Sequence, residues 1–263
     1  RSRSWCSTAR DNLPGALVVS TLLILGGTAD ARTLAAAVQA RWPDMRVITS
    51  LAGRTAAPRL PVGEVQIGGF GGAKGLADHM RAEGVTALID ATHPFAAEIS
   101  KNAAEAADIS DVPRLVLTRS PWVFVQNAAM QHVCSINAAK SALESGGQRI
   151  FLAIGRQEIN QFNALKGRFF LLRFIDAPAS PPPFDRCEVL TGRPGTYEDE
   201  RKMLQQFAID TLVAKNGGSA ASRAKVDAAL DLGLRVILID PPDLPPPPHA
   251  ESIDGALAWL DSL

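Results

Sequence analysis

Short apolar runs alternate with helix-like segments along most of the chain, and this alternation limits the possible folds more than any other feature. The runs are apolar throughout, as strands are when helices cover both faces of a sheet. The predicted strands comprise residues 21–25, 45–50, 64–69, 86–92, 113–118, 132–136, 149–154, 168–174, 211–215 and 235–240. The pattern predicts an α/β fold built on parallel sheets.

The alternation pauses at R-S-P-W, residues 119–122, and then resumes. We therefore predict an N-terminal domain at residues 21–119 and a C-terminal domain at residues 120–263. Residues 1–20 have no clear periodicity and are predicted to form a tail.

The first apolar run also has a second interpretation. It follows three arginines and ends on small residues and A-D-A at 29–31, which resembles a secretory signal peptide. Cleavage after Ala31 would cut the first turn of the helix predicted at 30–41 and remove the first strand of the sheet. We therefore favour a strand, a glycine turn and a helix, since this agrees with the pattern of the whole chain.

Composition excludes several classes of protein. Lys and Arg number 27, as do Asp and Glu, which argues against a nucleic-acid or membrane-surface role that depends on bulk charge. No apolar run reaches the length of a membrane-spanning helix. Cys6, Cys134 and Cys187 are odd in number and lack C-x-x-C spacing. They predict a cytoplasmic protein with buried structural thiols, no disulfide frame and no metal site.

The turn after the first predicted strand has the residues of a phosphate site. Gly26 and Gly27 admit a ligand close to the backbone, and Thr28 adds a hydroxyl donor beside the N-terminus of the next helix. A tight turn that binds nothing has the same sequence, so both interpretations stay open.

The end of the second strand is where a dinucleotide fold contacts the adenosine ribose. Here the chain has Ser50, Arg54 and Thr55 in place of the acidic residue that selects NAD. Hydroxyls and a guanidinium suit a 2′-phosphate and therefore predict NADPH. A solvated basic loop is the alternative.

Two further loops follow predicted strands. The stretch G-G-F-G-G-A-K-G at 68–75 includes Gly69 and Gly71, which contact a ligand closely or make the loop mobile, and Phe70 is able to pack on a flat ring. D-A-T-H-P-F-A at 90–96 places His93 at the edge where open parallel sheets bind ligands. His93 is the catalytic candidate, and a histidine that caps a helix is the alternative.

The second half repeats the pattern of strand, Gly-Gly and helix at A-K-N-G-G-S, residues 214–219. Lys215, Asn216 and Ser219 are predicted to form an anion pocket with the helix N-terminus. It faces the first pocket if the two sheets oppose their carboxyl edges. The alternative is a Schellman-like turn with a solvated lysine. The chain lacks Y-x-x-x-K, G-x-S-x-G, the P-loop and H-E-x-x-H.

Taken in order, L-L-I-L-G-G-T at 22–28, D-A-T-H-P-F-A at 90–96 and K-N-G-G-S at 215–219 resemble the precorrin-6A reductase family. The resemblance covers about residues 21–240. It implies two Rossmann-like parallel-sheet halves with a ligand cleft between them. It also implies an NADPH-dependent oxidoreductase of cobalamin biosynthesis, which reduces one double bond of a corrin-type tetrapyrrole and converts precorrin-6A to precorrin-6B.

The resemblance also implies roles for individual positions. NADPH is expected at the glycine turns and the end of the second strand: Gly26, Gly27, Thr28, Ser50, Arg54, Thr55, Gly69 and Gly71. The macrocycle and its many carboxylates are expected at Thr92, His93, Lys215, Asn216, Gly217, Gly218 and Ser219. No nucleic acid, membrane or metal is implied.

Two loops depart from the family pattern. The family usually has Lys, Asp or Asn, Ser, Gly, Gly, whereas here the serine follows the glycines at Ser219. The family's R-G-P-F-type element is T-G-R-P-G-T-Y at 191–197. Two other functions stay open: another NADP-dependent reductase on the same scaffold, and a non-catalytic nucleotide- or tetrapyrrole-binding protein.

Overall fold

The computed structural model describes residues 19–53, 59–125 and 127–263. The described chain forms two six-stranded sheets in which every strand pairing is parallel. The strands are β1 (Thr21–Leu25), β2 (Arg46–Leu51), β3 (Glu64–Ile67), β4 (Ala87–Asp90), β5 (Arg114–Leu117), β6 (Met130–Val133), β7 (Arg149–Ala153), β8 (Phe169–Phe174), β9 (Cys187–Thr191), β10 (Thr211–Lys215), β11 (Arg235–Ile239) and β12 (His249–Ala250). The predicted α/β class with two parallel-sheet halves is confirmed.

Both sheets have the strand order of a dinucleotide-binding fold. The first runs β3-β2-β1-β4-β5 with β12 at its far edge, and the second runs β9-β8-β7-β10-β11 with β6 at its far edge. In each sheet the order reverses between two central strands, β1 and β4 or β7 and β10. Ligands bind in the crevice at the carboxyl ends of such strands.

Helices cover both faces of each sheet. They are α1 (Ala29–Arg41), α2 (Ala73–Ala82), α3 (Ala97–Ser110), α4 (Ile136–Glu144), α5 (Tyr197–Gln206), α6 (Ala220–Asp231) and α7 (Ile253–Asp261). Apolar side chains of the strands, such as Leu22, Leu88, Phe151 and Leu212, are fully buried beneath them. None of the helices in the described part of the chain is long and apolar enough to span a membrane.

The end of the chain returns to the first sheet. Strand β12 pairs with β5, and α7 packs Ala256 and Leu260 into the same core as Leu34 of α1. The predicted boundary at residue 120 therefore does not hold for residues 249–261, because their apolar side chains complete the first core. The rest of the predicted division stays a prediction.

Local patterns also misled the prediction in three places. Between β7 and β8, where the alternation leads one to expect a full helix, the chain forms only a short 3-10 helix at Ile159–Phe162. The strand expected at 132–136 ends at Val133, because Ser135 caps α4 by accepting a hydrogen bond from the Ala138 N–H. Strands β9 and β12 were not predicted, since β9 is only half-buried and β12 has two residues.

The cysteines differ from the prediction of buried thiols. Cys6 lies outside the described residues, Cys134 is exposed, and Cys187 is partly buried. Cys134 directly follows β6, which lies at the edge of the second sheet, where fewer neighbours cover the chain. Burial raises the pKa of the Cys187 thiol. Within the described ranges, no three His, Cys, Asp or Glu side chains are grouped to hold a metal ion.

Candidate active site between the two sheets

Loops at the carboxyl ends of the two sheets contact each other. The Lys215 ammonium lies 4.9 Å from the ring centre of Phe95. A methyl group placed on Gly217 would stand 3.1 Å from Nε2 of His93. The predicted second pocket therefore faces the first, and the cleft lies where both sheets reverse their strand order.

The turn after β1 needs both of its glycines. The Gly26 N–H donates to the Ser50 carbonyl over 2.8 Å, and a Cβ on Gly26 would approach Cγ2 of Thr49 to 2.8 Å. Gly27 has φ = 105°, which L-residues rarely adopt. The turn therefore brings bare backbone to the N-terminus of α1, as a phosphate site requires.

Thr28 serves the fold through its side chain. Its Oγ1 accepts from the Ala31 N–H at 3.1 Å and donates to the Ala91 carbonyl at 2.7 Å. The hydroxyl proton is therefore engaged, and the predicted role of a hydroxyl donor to a ligand does not match this geometry. Instead, Thr28 caps α1 and fastens it to the loop after β4.

An ion pair lies across the same end of the first sheet. The Arg119 guanidinium, in the loop after β5, donates to the Asp30 carboxylate in the first turn of α1. Asp30 would otherwise oppose an anion at this helix end. The pair reduces that repulsion and fixes the loop that leads into the second half.

The predicted ribose-phosphate residues are only partly described. Ser50 is buried at the end of β2, beside Leu25 of β1. Arg54 and Thr55 lie outside the described residues, so their predicted contacts stay predictions. Arg32 of α1 reaches back to donate to the Thr28 carbonyl, and burial together with the nearby Arg193 and Arg59 charges lowers its pKa.

In the glycine-rich loop after β3, Gly71 has φ = 76° and Gly69 has no left-handed conformation. A Cβ on either would meet no described atom within 4 Å. The Phe70 ring stacks at 5.0 Å on His79 of α2, so it is engaged within the first half. The backbone conformation therefore explains why position 71 is a glycine, but it does not explain the glycine at position 69.

The loop after β4 contains a buried carboxylate. Asp90 Oδ1 accepts from the N–H and the hydroxyl of Thr92, at 3.0 and 2.7 Å. Its Oδ2 is buried and has no hydrogen-bond partner among the described residues. The Thr92 hydroxyl proton is thus turned towards Asp90. The Thr92 hydroxyl is therefore able to accept a hydrogen bond from a ligand but not to donate one, and the other atoms of Thr92 remain available for contact.

Asp90 and Thr92 also line a cavity of about 300 Å³. It lies between α3, the carboxyl ends of β4 and β5, and the proline-rich segment after β11. Its wall is formed by Asp90, Thr92, His93, Pro94, Ala97, Ser100, Lys101, Ala104, Val116, Leu117, Thr118, Pro242, Asp243, Leu244, Pro245 and Pro246. The cavity extends the cleft into the first half.

His93 stands at the centre of the contact between the halves. Its Nδ1 accepts from the Phe95 N–H at 3.2 Å, so the neutral ring has its proton on Nε2, which faces Gly217. Burial, followed by the positive charges of Lys215 and Arg119, lowers the pKa of His93 to about 4. Part of the ring remains open to solvent, and at neutral pH it offers one hydrogen-bond donor to the cleft.

Lys215 is not a free cation. Its Nζ donates to Oε1 of Glu158 at 2.5 Å, and both side chains are largely buried. Glu158 comes from the loop after β7, the strand beside β10, and sequence reasoning missed it. The signal was available, since G-R-Q-E directly follows a predicted strand and must reach the same edge.

Asn216 is engaged by the chain that joins the halves. Its side chain accepts from the Trp122 N–H at 2.7 Å and donates to the Trp122 carbonyl at 3.1 Å. Asn216 is 2% exposed. The backbone of Trp122 therefore occupies the Asn216 side chain, which does not match its predicted contact with the substrate. Sequence spacing could not reveal this pair, because the two residues are 94 positions apart in the chain.

The two glycines after Asn216 have different reasons to lack a side chain. Gly217 leaves room for His93, whereas a Cβ on Gly218 would approach the Ser120 carbonyl to 2.5 Å, and Gly218 has φ = 70°. Ser219 caps α6, since its Oγ accepts from the Ser222 N–H at 3.3 Å. An anion at the predicted site would therefore meet backbone N–H groups and Lys215, although the Gly217 N–H already donates to the Lys215 carbonyl at 3.0 Å.

Comparison with known proteins agrees with the fold. The family model described as "Precorrin-6x reductase CbiJ/CobK" matches residues 21–261. A precorrin-6A reductase of Rhodococcus erythropolis is 44% identical over 93% of this chain and 99% of its own length. One from Mycobacterium tuberculosis is 41% identical over the same shares.

A more distant relative is a cobalt-precorrin-6A reductase of Priestia megaterium, which is 30% identical over 85% of this chain and 91% of its own length. Among solved structures, one titled CobK precorrin-6A reductase superimposes with a TM-score of 0.83 at 39% identity, over 92% of this chain and 96% of that one. This chain belongs to the precorrin-6x reductase CbiJ/CobK family.

Proposed function

We propose that this protein uses NADPH to reduce one double bond of precorrin-6A in the cleft between its two sheets, as a step of cobalamin biosynthesis. Membership of the reductase family makes it an oxidoreductase and implies a nicotinamide cofactor. The observation that supports the site best is the meeting of His93 with the Gly217–Gly218 turn across the cleft. It brings a hydrogen-bond donor of one half to the anion-binding turn of the other.

The first half fits a dinucleotide. The positive φ of Gly27 and the close packing of Gly26 on β2 leave a shallow backbone cradle that any side chain would fill. Helix α1 points its N-terminus at that cradle, which suits a pyrophosphate. Bound NADPH supplies a hydride from its nicotinamide ring. Ser50 and the sequence-predicted Arg54 and Thr55 would hold the 2′-phosphate.

The second half fits a polycarboxylate. Lys215 and Arg119 bring positive charge to the cleft, and the turn at 217–219 contributes backbone N–H groups. A substrate carboxylate is able to displace Glu158 from Lys215, and the released Glu158 carboxylate, whose side chain is 26% exposed, would then be hydrated by water. These groups orient the macrocycle so that the bond to be reduced stands near His93.

His93 is the proposed catalytic residue. It offers its Nε2 proton to the macrocycle, while the Phe95 N–H holds the ring through Nδ1. In the free protein the charges of Lys215 and Arg119 help to depress its pKa. Substrate carboxylates beside those cations would offset them and raise the pKa of His93, so that a larger fraction of the ring is the imidazolium, the form that transfers a proton. Protonation of Nδ1 would then replace the hydrogen bond that it accepts from the Phe95 N–H in the neutral ring.

The test is NADPH oxidation at 340 nm after addition of enzymatically prepared precorrin-6A. We expect turnover with wild type and a fall in kcat of about 10²-fold or more for His93→Ala, the range for loss of a general acid. A change in kcat of less than threefold would assign protonation to solvent. NADPH binding without turnover on precorrin-6A would instead favour the non-catalytic binding protein.

Cofactor choice is tested by titrating the protein with NADPH and NADH and following nicotinamide fluorescence. We expect a preference for NADPH that Arg54→Ala removes. Arg201→Ala is the matched control, since Arg201 is exposed on α5 in the other half. Equal affinity for both cofactors in wild type would refute the proposed 2′-phosphate contacts. Parallel assays with cobalt-precorrin-6A would define the substrate.

A further inference from the structure

Three charged side chains are buried in the second half beneath the carboxyl edge of its sheet. Glu200 of α5 is fully buried, the Arg173 side chain of β8 is 14% exposed, and Lys225 of α6 is 7% exposed. Helices α5 and α6 pack against each other on the same face of the sheet. Charged groups in such a place need partners, because removing them from water is costly.

Arg173 and Glu200 satisfy each other. Arg173 Nη1 lies 2.5 Å from Glu200 Oε1, which also accepts from the Gly195 N–H at 2.8 Å. The guanidinium also contacts Met203 Sδ and lies over the Phe151 ring. This pair ties β8, α5 and the loop at 192–196 together, and it is electrically neutral.

Lys225 has no counter-charge of its own, because the Glu200 carboxylate that raises its pKa is already paired with Arg173. Its Nζ makes no hydrogen bond or ion pair with any residue in the described ranges, and Glu200 Oε2 likewise has no hydrogen-bond partner there. The buried trio therefore has two cations and one anion, which leaves one positive charge uncompensated. A buried cation without a counter-charge is a binding site for an anion or a cost to the fold.

The position of Lys225 makes an anion accessible to it. It lies in the second turn of α6, and helical side chains lean towards the helix N-terminus. That terminus begins at Ser219, two residues after the Gly217 that faces His93. The Lys225 charge also contributes to the depression of the His93 pKa, so its field reaches the cleft.

We propose that Lys225 binds one peripheral carboxylate of the tetrapyrrole at the N-terminal end of α6, and so helps to determine how the macrocycle lies in the cleft. This inference rests on the proposed function, since it names a contact for the same substrate. The same oxyanion chemistry could come from a phosphate of NADPH. We assign the substrate, because Lys225 belongs to the second half and the cradle for a dinucleotide lies after β1 in the first.

The variants Lys225→Met and Lys225→Arg test this contact. Lys225→Met keeps the length of the side chain and removes its charge, and Lys202→Met on the exposed face of α5 is the matched control. We expect Lys225→Met to raise the KM and the directly titrated Kd for precorrin-6A about 10- to 100-fold, the range for one charge-assisted hydrogen bond. Lys225→Arg should retain most of the affinity, and NADPH affinity should stay within twofold in all variants.

Each outcome separates the alternatives. An unchanged KM with a changed thermal midpoint would make Lys225 a structural residue only and overturn the proposal. A selective loss of NADPH affinity would assign the site to a cofactor phosphate and also overturn it. Wild type that binds NADPH but never turns over precorrin-6A would refute the proposed function instead, and the direct titration of precorrin-6A would still test the contact.

The pH dependence is a second readout. Burial, as the largest cause, lowers the pKa of Lys225 to about 8, with Arg173 lowering it and Glu200 raising it. His93 is the titratable group that faces it from the first half. The ammonium is charged below about pH 8 and lost above it, so kcat/KM for precorrin-6A should decline above pH 8 in wild type. Lys225→Met should remove that decline, and Lys225→Arg should move it beyond pH 10. An identical profile in all three proteins would contradict the contact.

Discussion

A single methyl group at Gly218 is expected to weaken the junction of the two halves. Gly218 has φ = 70°, and its Cβ would stand 2.5 Å from the Ser120 carbonyl oxygen and 2.9 Å from Cβ of Arg119. Gly233, just after the other end of α6, is a matched control. It has φ = 68°, and a Cβ there meets no described atom within 4 Å.

The two positions separate strain from crowding. A left-handed conformation costs an L-residue about 1–2 kcal/mol, and this applies to both. Crowding in a packed site adds about 1–3 kcal/mol, and this applies only to Gly218, where the obstacle is backbone. Gly233→Ala should therefore lower the free energy of unfolding by about 1–2 kcal/mol, and Gly218→Ala by about 2–5 kcal/mol.

The assay is urea unfolding followed by circular dichroism and tryptophan fluorescence, with the slope m compared between variants. The expected result is a larger loss for Gly218→Ala at an unchanged slope. Equal losses for both variants would refute the reasoning, because they would show that the loop at 119–120 moves away at no cost.

Three other predictions follow from the site. Asn216→Ala should lower the free energy of unfolding by about 2–4 kcal/mol in urea titrations, because two buried backbone groups of Trp122 lose their partner; a loss below about 0.5 kcal/mol would contradict the clamp. The pKa of His93, read from imidazole NMR shifts, should be about 4 and not the usual 6.5. The unfolded chain then binds this proton at a higher pH than the folded chain does, so the free energy of unfolding should fall as the pH drops from about 6.5 towards 4. His93→Gln should lose that part of the pH dependence. Glu158→Gln should lower the KM for precorrin-6A, since it frees Lys215 for a substrate carboxylate; a raised KM would show that the pair positions the lysine.

Much of the first half was predictable because its signals are local. A strand followed by Gly26, Gly27 and a helix can form a βα turn without help from distant residues, and D-A-T-H at the end of β4 must reach the ligand edge of a parallel sheet. The loop of the predicted second anion site was placed at the carboxyl edge of the second sheet in the same way, from the glycines at 217 and 218.

The side-chain partners within these loops were not predictable from the sequence. Thr28 donates to Ala91, Asn216 binds Trp122, and these pairs are 63 and 94 residues apart. A hydroxyl or an amide has the same appearance in a sequence whether it binds a ligand or a backbone group. Only the positions of the two chain segments in the folded protein decide whether the side chain binds a ligand or a backbone group.

The hydrophobic period and the positions of the glycines thus determined the α/β class, the two parallel sheets and the sheet edge at which ligands are predicted to bind, because both signals depend on neighbours a few residues apart. The tertiary structure alone decided that β12 returns to the first sheet, that Glu158 neutralises Lys215, and that buried Lys225 has no hydrogen-bond or ion-pair partner among the described residues. These features depend on which faces meet after the chain has closed, and the balance of buried charge in the second half exists only once its own strands and helices have packed.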